Sequence, residues 1–363
     1  MLPVTKPFLP PQEEYTTYLQ HIWESSCLTN HGPLAAALED QLQKYLGIKH
    51  AIFVASGTLA LQVSIKALEL SGEIISTPFS FVATTTAILW EHCTPVFVDI
   101  EPQTFCIDVA QLEKAITSKT SAILVTHIFG YPCQVEQIQL LASRYNLKVI
   151  YDGAHAFGVA MGTTSIFTYG DISITSFHAT KLFHTIEGGA IFTNDDAIAD
   201  KCRLLRNFGY SAERHYLPGI NAKNSEFHAA MGLCLLPRVN QFIEQRKQLA
   251  ALYRKLLKEL PVYIPSPSTH IQANYAYFPV VFTNEQTLLL VREKLAAHHI
   301  QTSRYFFPSL NKLAYCKGEE CPVAEDISQR ILCLPYFQEL REDEIEKVAS
   351  IIKTSCMETI EIL

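Results

Sequence analysis

Two apolar patterns alternate along the chain: short unbroken runs rich in Val, Ile and Phe, and longer stretches whose apolar residues recur at helical spacing. After a Pro-rich opening, residues 12–23 read as a helix. His31-Gly32-Pro33 restarts the chain, and Leu34, Ala37, Leu38, Leu42 and Leu46 mark the stripe of a second helix. Residues 51–54 read as a strand running straight into Ser56-Gly57-Thr58, followed by a helix over 58–70. Strands are predicted at 73–76, 94–99, 121–126, 147–152, 172–175 and 189–193, with helices at 84–90 and 135–145. Short apolar strands alternating with helices predict an α/β domain with a largely parallel sheet covered on both faces. Its ligand then belongs in the loops beyond the strand ends.

Pro237 suits the first turn of a long helix over 238–260, and Pro261 ends it. The apolar patterns at 276–280, 288–298 and 342–353 then predict a compact α+β unit. The expected division is an N-terminal region and large domain over 1–249 and a small C-terminal domain over 250–363. No internal repeat or low-complexity linker interrupts either.

Composition narrows the function classes. With 48% apolar and 18% charged residues, 16 Tyr and 20 Phe, the chain is globular rather than disordered. A net charge of -7 gives no basic face for nucleic acid. The ten cysteines are scattered, several within apolar runs, and read as small buried hydrophobes in a reducing compartment. Cys316 and Cys321 form the one near pair in sequence, without a second pair or nearby histidine to complete a metal site. Residues 1–7 lack a signal-peptide core, and no apolar stretch is long enough to span a membrane. The expectation is a cytoplasmic protein.

The candidate chemistry gathers at predicted strand ends. Lys181 closes the run Ser176-Phe177-His178-Ala179-Thr180-Lys181 and precedes Glu187-Gly188-Gly189-Ala190. Asp152 closes an apolar strand and leads into Gly153-Ala154-His155-Ala156, where all but the imidazole are small and let a flat ring approach the backbone. A desolvated lysine forms imines with aldehydes, and a carboxylate facing a pyridine nitrogen keeps it protonated; together they equip a chain for pyridoxal phosphate chemistry. Ser56-Gly57-Thr58 offers backbone N–H groups at a helix start, with hydroxyls for a phosphate, and Ser176 offers another. Pro78-Phe79-Ser80-Phe81 places aromatics at a loop, where one can stack on a cofactor. Taken singly, each has an ordinary reading: a surface lysine, a capping aspartate, a satisfied core histidine, a packed aromatic.

Taken in order, these segments resemble the DegT/DnrJ/EryC1/StrS family of sugar-nucleotide aminotransferases. The resemblance continues through Pro95-Val96-Phe97-Val98-Asp99, His127-Ile128-Phe129-Gly130, Asp152 to Gly158 and Arg206-Asn207-Phe208-Gly209. It implies a fold-type I, aspartate aminotransferase-like large domain with pyridoxal 5'-phosphate as cofactor. Lys181 then matches the Schiff-base lysine, Asp152 the partner of the pyridine nitrogen and Phe81 the stacking ring, often tryptophan elsewhere. Gly57, Thr58 and Ser176 match the phosphate contacts. His155 stands where many members have glutamine; both donate a hydrogen bond. Asn221 matches an asparagine that reaches the neighbouring subunit's phosphate, implying a homodimer with shared sites.

A lysine at 181, where some members carry histidine and deoxygenate sugars, favours amino transfer over a dehydratase. The implied reaction takes the amino group from L-glutamate, leaves pyridoxamine 5'-phosphate, and passes it to a nucleotide-linked keto sugar. The segments at 28–33, 152–158, 176–181 and 221–227 resemble most the branch acting on dTDP-4-keto-6-deoxy-D-glucose, which yields dTDP-4-amino-4,6-dideoxy-D-glucose for surface polysaccharides. Amination at C3, a UDP- or GDP-linked sugar, another reaction on the same fold and a non-catalytic regulator are the alternatives. Arg206, Lys223 and Arg304 are candidate contacts to the diphosphate or glutamate.

Overall fold

The computed structural model describes residues 1–316 and 318–361. Its centre is a seven-stranded sheet of β1 (His50–Val54), β2 (Glu73–Ser76), β3 (Thr94–Phe97), β4 (Thr120–Thr126), β5 (Lys148–Asp152), β6 (Ile172–Ser176) and β7 (Gly189–Thr193), in the spatial order β1-β7-β6-β5-β4-β2-β3. The pairs β2–β3, β2–β4, β4–β5 and β5–β6 are parallel, whereas β7 is antiparallel to both β6 and β1. Only β7 therefore runs against the rest, and the expected largely parallel sheet is found. Six strands deliver their carboxyl ends to one edge, where β7 begins.

Burial on both faces explains the unbroken apolar runs. Along β1, Ala51 and Phe53 join one core cluster while Ile52 and Val54 join the other; along β4, Ile123 and Val125 oppose Ala122 and Leu124. The first face is covered by α2 (Pro33–Leu46) and α6 (Val135–Tyr145), the second by α3 (Gly57–Ala67), α4 (Val82–Trp90) and α7 (Asp196–Arg206). Helix α2 has Pro33 at its start, and Gly47 at φ 64° accepts the left-handed turn that ends it. Its Leu38 and Leu42 are fully buried, each contributing about 1.5–3 kcal/mol over an exposed leucine.

Helix α9 (Val239–Leu257) joins the two units: Val239 and Phe242 pack into the first core, Ala250, Tyr253 and Leu257 into a third. That third core lies among α9, α10 (Glu285–Ala297), α12 (Glu342–Glu361) and the antiparallel pair β8 (Pro279–Val281) and β9 (Ile331–Cys333). Residue 250 thus falls inside a helix. The first residues belong to this second unit: the Leu2 N–H donates to His299 O, the Gln301 N–H to Leu2 O and the Tyr336 N–H to Val4 O, each at 2.8 Å. Three further helices, α5 (Val109–Ala115), α8 (Glu226–Leu235) and α11 (Pro322–Arg330), and also α7, lie where the apolar pattern predicts none. Nine of the ten cysteines are buried; no helix among the described residues is long and apolar enough to cross a membrane.

Candidate active site

A cavity of about 320 Å³ opens at the carboxyl edge of the sheet. Its wall includes Ser56, Gly57 and Thr58 beyond β1, Ser80 and Phe81 beyond β2, Thr126 ending β4, Asp152 and His155 at β5, and Ser176, His178 and Lys181 at β6. The structure thus gathers in one place seven of the eleven site residues expected from sequence: Lys181, Asp152, Gly57, Thr58, Phe81, His155 and Ser176 line it, and Lys223 lies outside with Asn221, Arg206 and Arg304.

The N-terminus of α3 forms one wall. The Ser56 side chain accepts from the Leu59 N–H at 3.1 Å, which leaves the Gly57 and Thr58 N–H groups without acceptors inside the helix. A Cβ on Gly57 would sit 2.9 Å from Ser176 Cβ, and one on Gly189 would sit 2.6–2.7 Å from the Ser56 and Gly57 backbone. Both positions need glycine because β6, β7 and the helix start converge there.

Asp152 is 5% exposed and sits at the end of a chain of buried hydroxyls. Its carboxylate accepts from the Ala154 N–H at 3.0 Å and from Thr84 Oγ1 at 2.9 Å. Thr84 has one proton, so Ser80 must donate to it at 2.9 Å and Thr126 to Ser80 at 2.8 Å. All three hydroxyls point their protons toward the carboxylate. Burial pushes the Asp152 pKa up, while the Ala154 and Thr84 donors and the Lys181 charge oppose it.

The His155, Phe129 and Phe306 rings lie nearly parallel, His155 at 5.9 Å from Phe129 and 5.7 Å from Phe306 and the two phenylalanines 6.1 Å apart. Its Nδ1 accepts from the Phe129 N–H at 3.1 Å, and burial holds the ring well below the usual histidine range. The neutral ring therefore carries its proton on Nε2 as a donor. Phe81 is 56% exposed on the cavity wall, which sets it apart from a packed core ring.

Lys181 is partly buried, and its Nζ donates to the Tyr277 hydroxyl at 3.0 Å. Burial lowers its pKa, against the pull of Asp152 and Tyr305. The loop that carries it is closed by Lys181 N–H to His178 O at 2.9 Å and Thr185 N–H to Phe177 O at 2.9 Å. Tyr277, Tyr305, Phe306, Ser80, Thr84 and Thr126 are site residues that sequence reasoning missed. Tyr277 lies in the 276–280 run read only as part of the small C-terminal unit; spacing gives no signal for a contact spanning 96 residues.

The four remaining candidates sit elsewhere. Arg206 is buried, with Nη1 donating to Glu39 Oε1 at 2.5 Å and Phe53 O at 2.8 Å, so its guanidinium holds α2 to β1 instead of facing a ligand in this cavity. Arg304 donates to Glu285 and to Gln329 O, each at 2.7 Å, and lies 3.6 Å over the Phe307 ring. In each case a carboxylate distant in sequence pairs with the cation. Lys223 donates to Asn207 Oδ1 at 2.9 Å on an outer groove, and Asn221 is exposed outside its own chain's cavity.

The donor set fits pyridoxal phosphate: an amine of lowered pKa for the aldehyde, a buried carboxylate for a protonated ring nitrogen, a neutral Nε2–H, an exposed aromatic face, and free amides with hydroxyls at a helix start for the phosphate. A family model for the DegT/DnrJ/EryC1/StrS aminotransferases matches residues 11–353. The dTDP-4-amino-4,6-dideoxy-D-glucose transaminase of Shigella dysenteriae is 41% identical over 96% of this chain and 98% of its own length. The enzyme of the same name from Escherichia coli is 39% identical over 97% and 98%. A crystal structure of DesI in the presence of its TDP-sugar product superposes with a TM-score of 0.95 at 33% identity, covering 99% of this chain and 94% of that one. With its lysine, carboxylate and helix start in one cavity, the chain belongs to the DegT/DnrJ/EryC1/StrS aminotransferase family.

Proposed function

We propose that this protein transfers the amino group of L-glutamate to C4 of dTDP-4-keto-6-deoxy-D-glucose, giving dTDP-4-amino-4,6-dideoxy-D-glucose, with pyridoxal phosphate as cofactor. The observation that carries the reading is the full-length likeness to two transaminases of that name, joined to a cavity that holds Lys181 and Asp152 together. The bound cofactor supplies an aldehyde carbon that exchanges amines and a ring that accepts electrons.

The chain's residues supply the rest. Lys181 Nζ anchors the cofactor between turnovers; once freed, it takes the proton from the amino donor's α-carbon and returns one to complete the transfer. Anchoring and proton removal need the neutral amine, which burial favours. The ordered hydroxyls keep the Asp152 carboxylate ionised to bind a ring N–H. His155 Nε2–H is placed to donate to a ring oxygen, Gly57, Thr58 and Ser176 bind phosphate, and Phe81 covers a ring face and excludes water. The same reading makes the working enzyme a homodimer in which Asn221 serves the partner's site, supported by its exposed position outside its own cavity.

The test supplies L-glutamate and dTDP-4-keto-6-deoxy-D-glucose and locates the new C–N bond by NMR. Nitrogen at C4 with 2-oxoglutarate released is the expected result. Nitrogen at C3, or turnover with only a UDP- or GDP-linked sugar, would move the reading to another branch. A cofactor-loaded enzyme that releases no 2-oxoglutarate would end it.

A further inference from the structure

We infer that Tyr277 is a positioning residue for Lys181, holding the freed amine by one N–H so that its lone pair stays directed into the cavity. The inference rests on the aminotransferase reading and assigns to the small unit a part in the chemistry of the large one. The contact is Lys181 Nζ to Tyr277 OH at 3.0 Å, and the nitrogen lies 5.7 Å from the ring centroid.

The phenol is built into place. Its ring packs against His155 at 4.5 Å, Phe129 at 5.7 Å and Tyr305 at 5.8 Å. The backbone just before it is pinned. Asn274 Nδ2 donates to His155 O at 2.8 Å and Phe157 O at 3.0 Å, while its Oδ1 accepts from the Ala276 N–H at 3.2 Å. Arg246 Nη1, from α9, donates to Ala276 O at 2.8 Å. Arg246 is 2% exposed and has no carboxylate partner among the described residues; its other donors meet Gln338 Oε1 and its guanidinium faces the Tyr336 ring at 5.6 Å. A buried cation without a counter-ion is unfavourable unless its hydrogen bonds are needed. Here they fix the residue before Tyr277.

The geometry suits a neutral acceptor. Burial keeps the Tyr277 phenol protonated, so it takes a hydrogen bond from nitrogen without taking the proton. A neutral amine that gives one N–H to Tyr277 keeps a second N–H and its lone pair free. The groups facing Lys181 are Asp152 from β5, His155 from the loop after it, Tyr305 from the small unit, and His178 and Glu187 at the rim. None of these groups hydrogen-bonds Nζ; among the described residues Tyr277 alone does.

The test compares the wild-type holoenzyme with Tyr277→Phe, which removes one oxygen and keeps the ring. Expected are full cofactor loading, a kcat about tenfold lower with KM little changed, and a larger kinetic isotope effect with α-deuterated glutamate, since a misplaced amine slows proton transfer. A second readout needs no sugar substrate. The visible band of the lysine-bound cofactor should titrate at lower pH in Tyr277→Phe, by about one unit, because an acceptor for the nitrogen-bound proton is gone. An unchanged kcat, isotope effect and titration in a loaded variant would overturn the role. Because the titration uses the holoenzyme alone, its outcome stands apart from whether the proposed sugar is the substrate.

Discussion

Lys181 and Asp152 answer to burial in opposite directions. The lysine loses affinity for its proton, the carboxylate gains it, and each residue's charge opposes the other's shift. For a lysine whose pKa is lowered, the neutral base is present above that value and is lost as pH falls through it. The acid limb of kcat against pH is therefore expected below the ordinary lysine value of 10.5. Lys181→Ala should lose turnover and the visible band of the lysine-bound cofactor together, checked by assay and absorbance on one sample. Thr84→Val removes the hydroxyl that ends the chain at Asp152. That leaves Ser80 without its acceptor and raises the carboxylate's pKa further. Cofactor affinity should fall about tenfold by equilibrium titration while the fold persists by circular dichroism. At this scale the sequence was informative where a chemical group stands at or soon after a strand end, Asp152 closing β5 and Lys181 following β6. It was silent on Thr84 and Tyr277, whose roles depend on partners 68 and 96 positions away.

Among elements, the start of α3 wedged between the ends of β6 and β7 decides whether a phosphate fits. Gly189→Ala would bring a Cβ within 2.7 Å of backbone atoms of Ser56 and Gly57, which no side-chain rotation relieves. The helix start must shift, at about 1–3 kcal/mol. The expected result is a lowered Tm together with weaker cofactor binding, measured by thermal melts with and without added pyridoxal phosphate; an unshifted Tm and affinity would show that the junction has slack. The strands of this sheet were legible because burial on both faces forces unbroken apolar runs. Strand direction was not, since β7 reads like its neighbours and runs against them. Helix α8 escaped notice for a related reason: it is buried on nearly every side, so no polar face marks its period. Helix α7 is announced by the Asp195 cap, which accepts from the Ile198 N–H at 2.9 Å, rather than by its apolar content.

For the whole molecule, the proposed homodimer makes a prediction about which chain completes each site. Asn221 is exposed beside Ala222, whose carbonyl accepts from the Ala55 N–H at 2.9 Å, next to the Ser56 turn but outside the cavity. If each site takes Asn221 from the partner, Lys181→Ala and Asn221→Ala damage different chains of the same site. Each variant alone should be poorly active. In a mixed dimer, the Asn221→Ala chain still supplies Lys181 and the Lys181→Ala chain supplies Asn221, so one of the two sites is whole. Random pairing makes half of the dimers mixed, and co-expression in equal amounts should restore about a quarter of the wild-type activity per site. Tagging the two chains differently and purifying the mixed dimer should raise that to about half. If Asn221 instead serves its own chain, the mixed dimer has one site lacking lysine and one lacking asparagine, and activity stays at the level of the separate variants. The two arrangements thus differ in activity for the same two substitutions, and the difference reads the assembly directly from the chemistry.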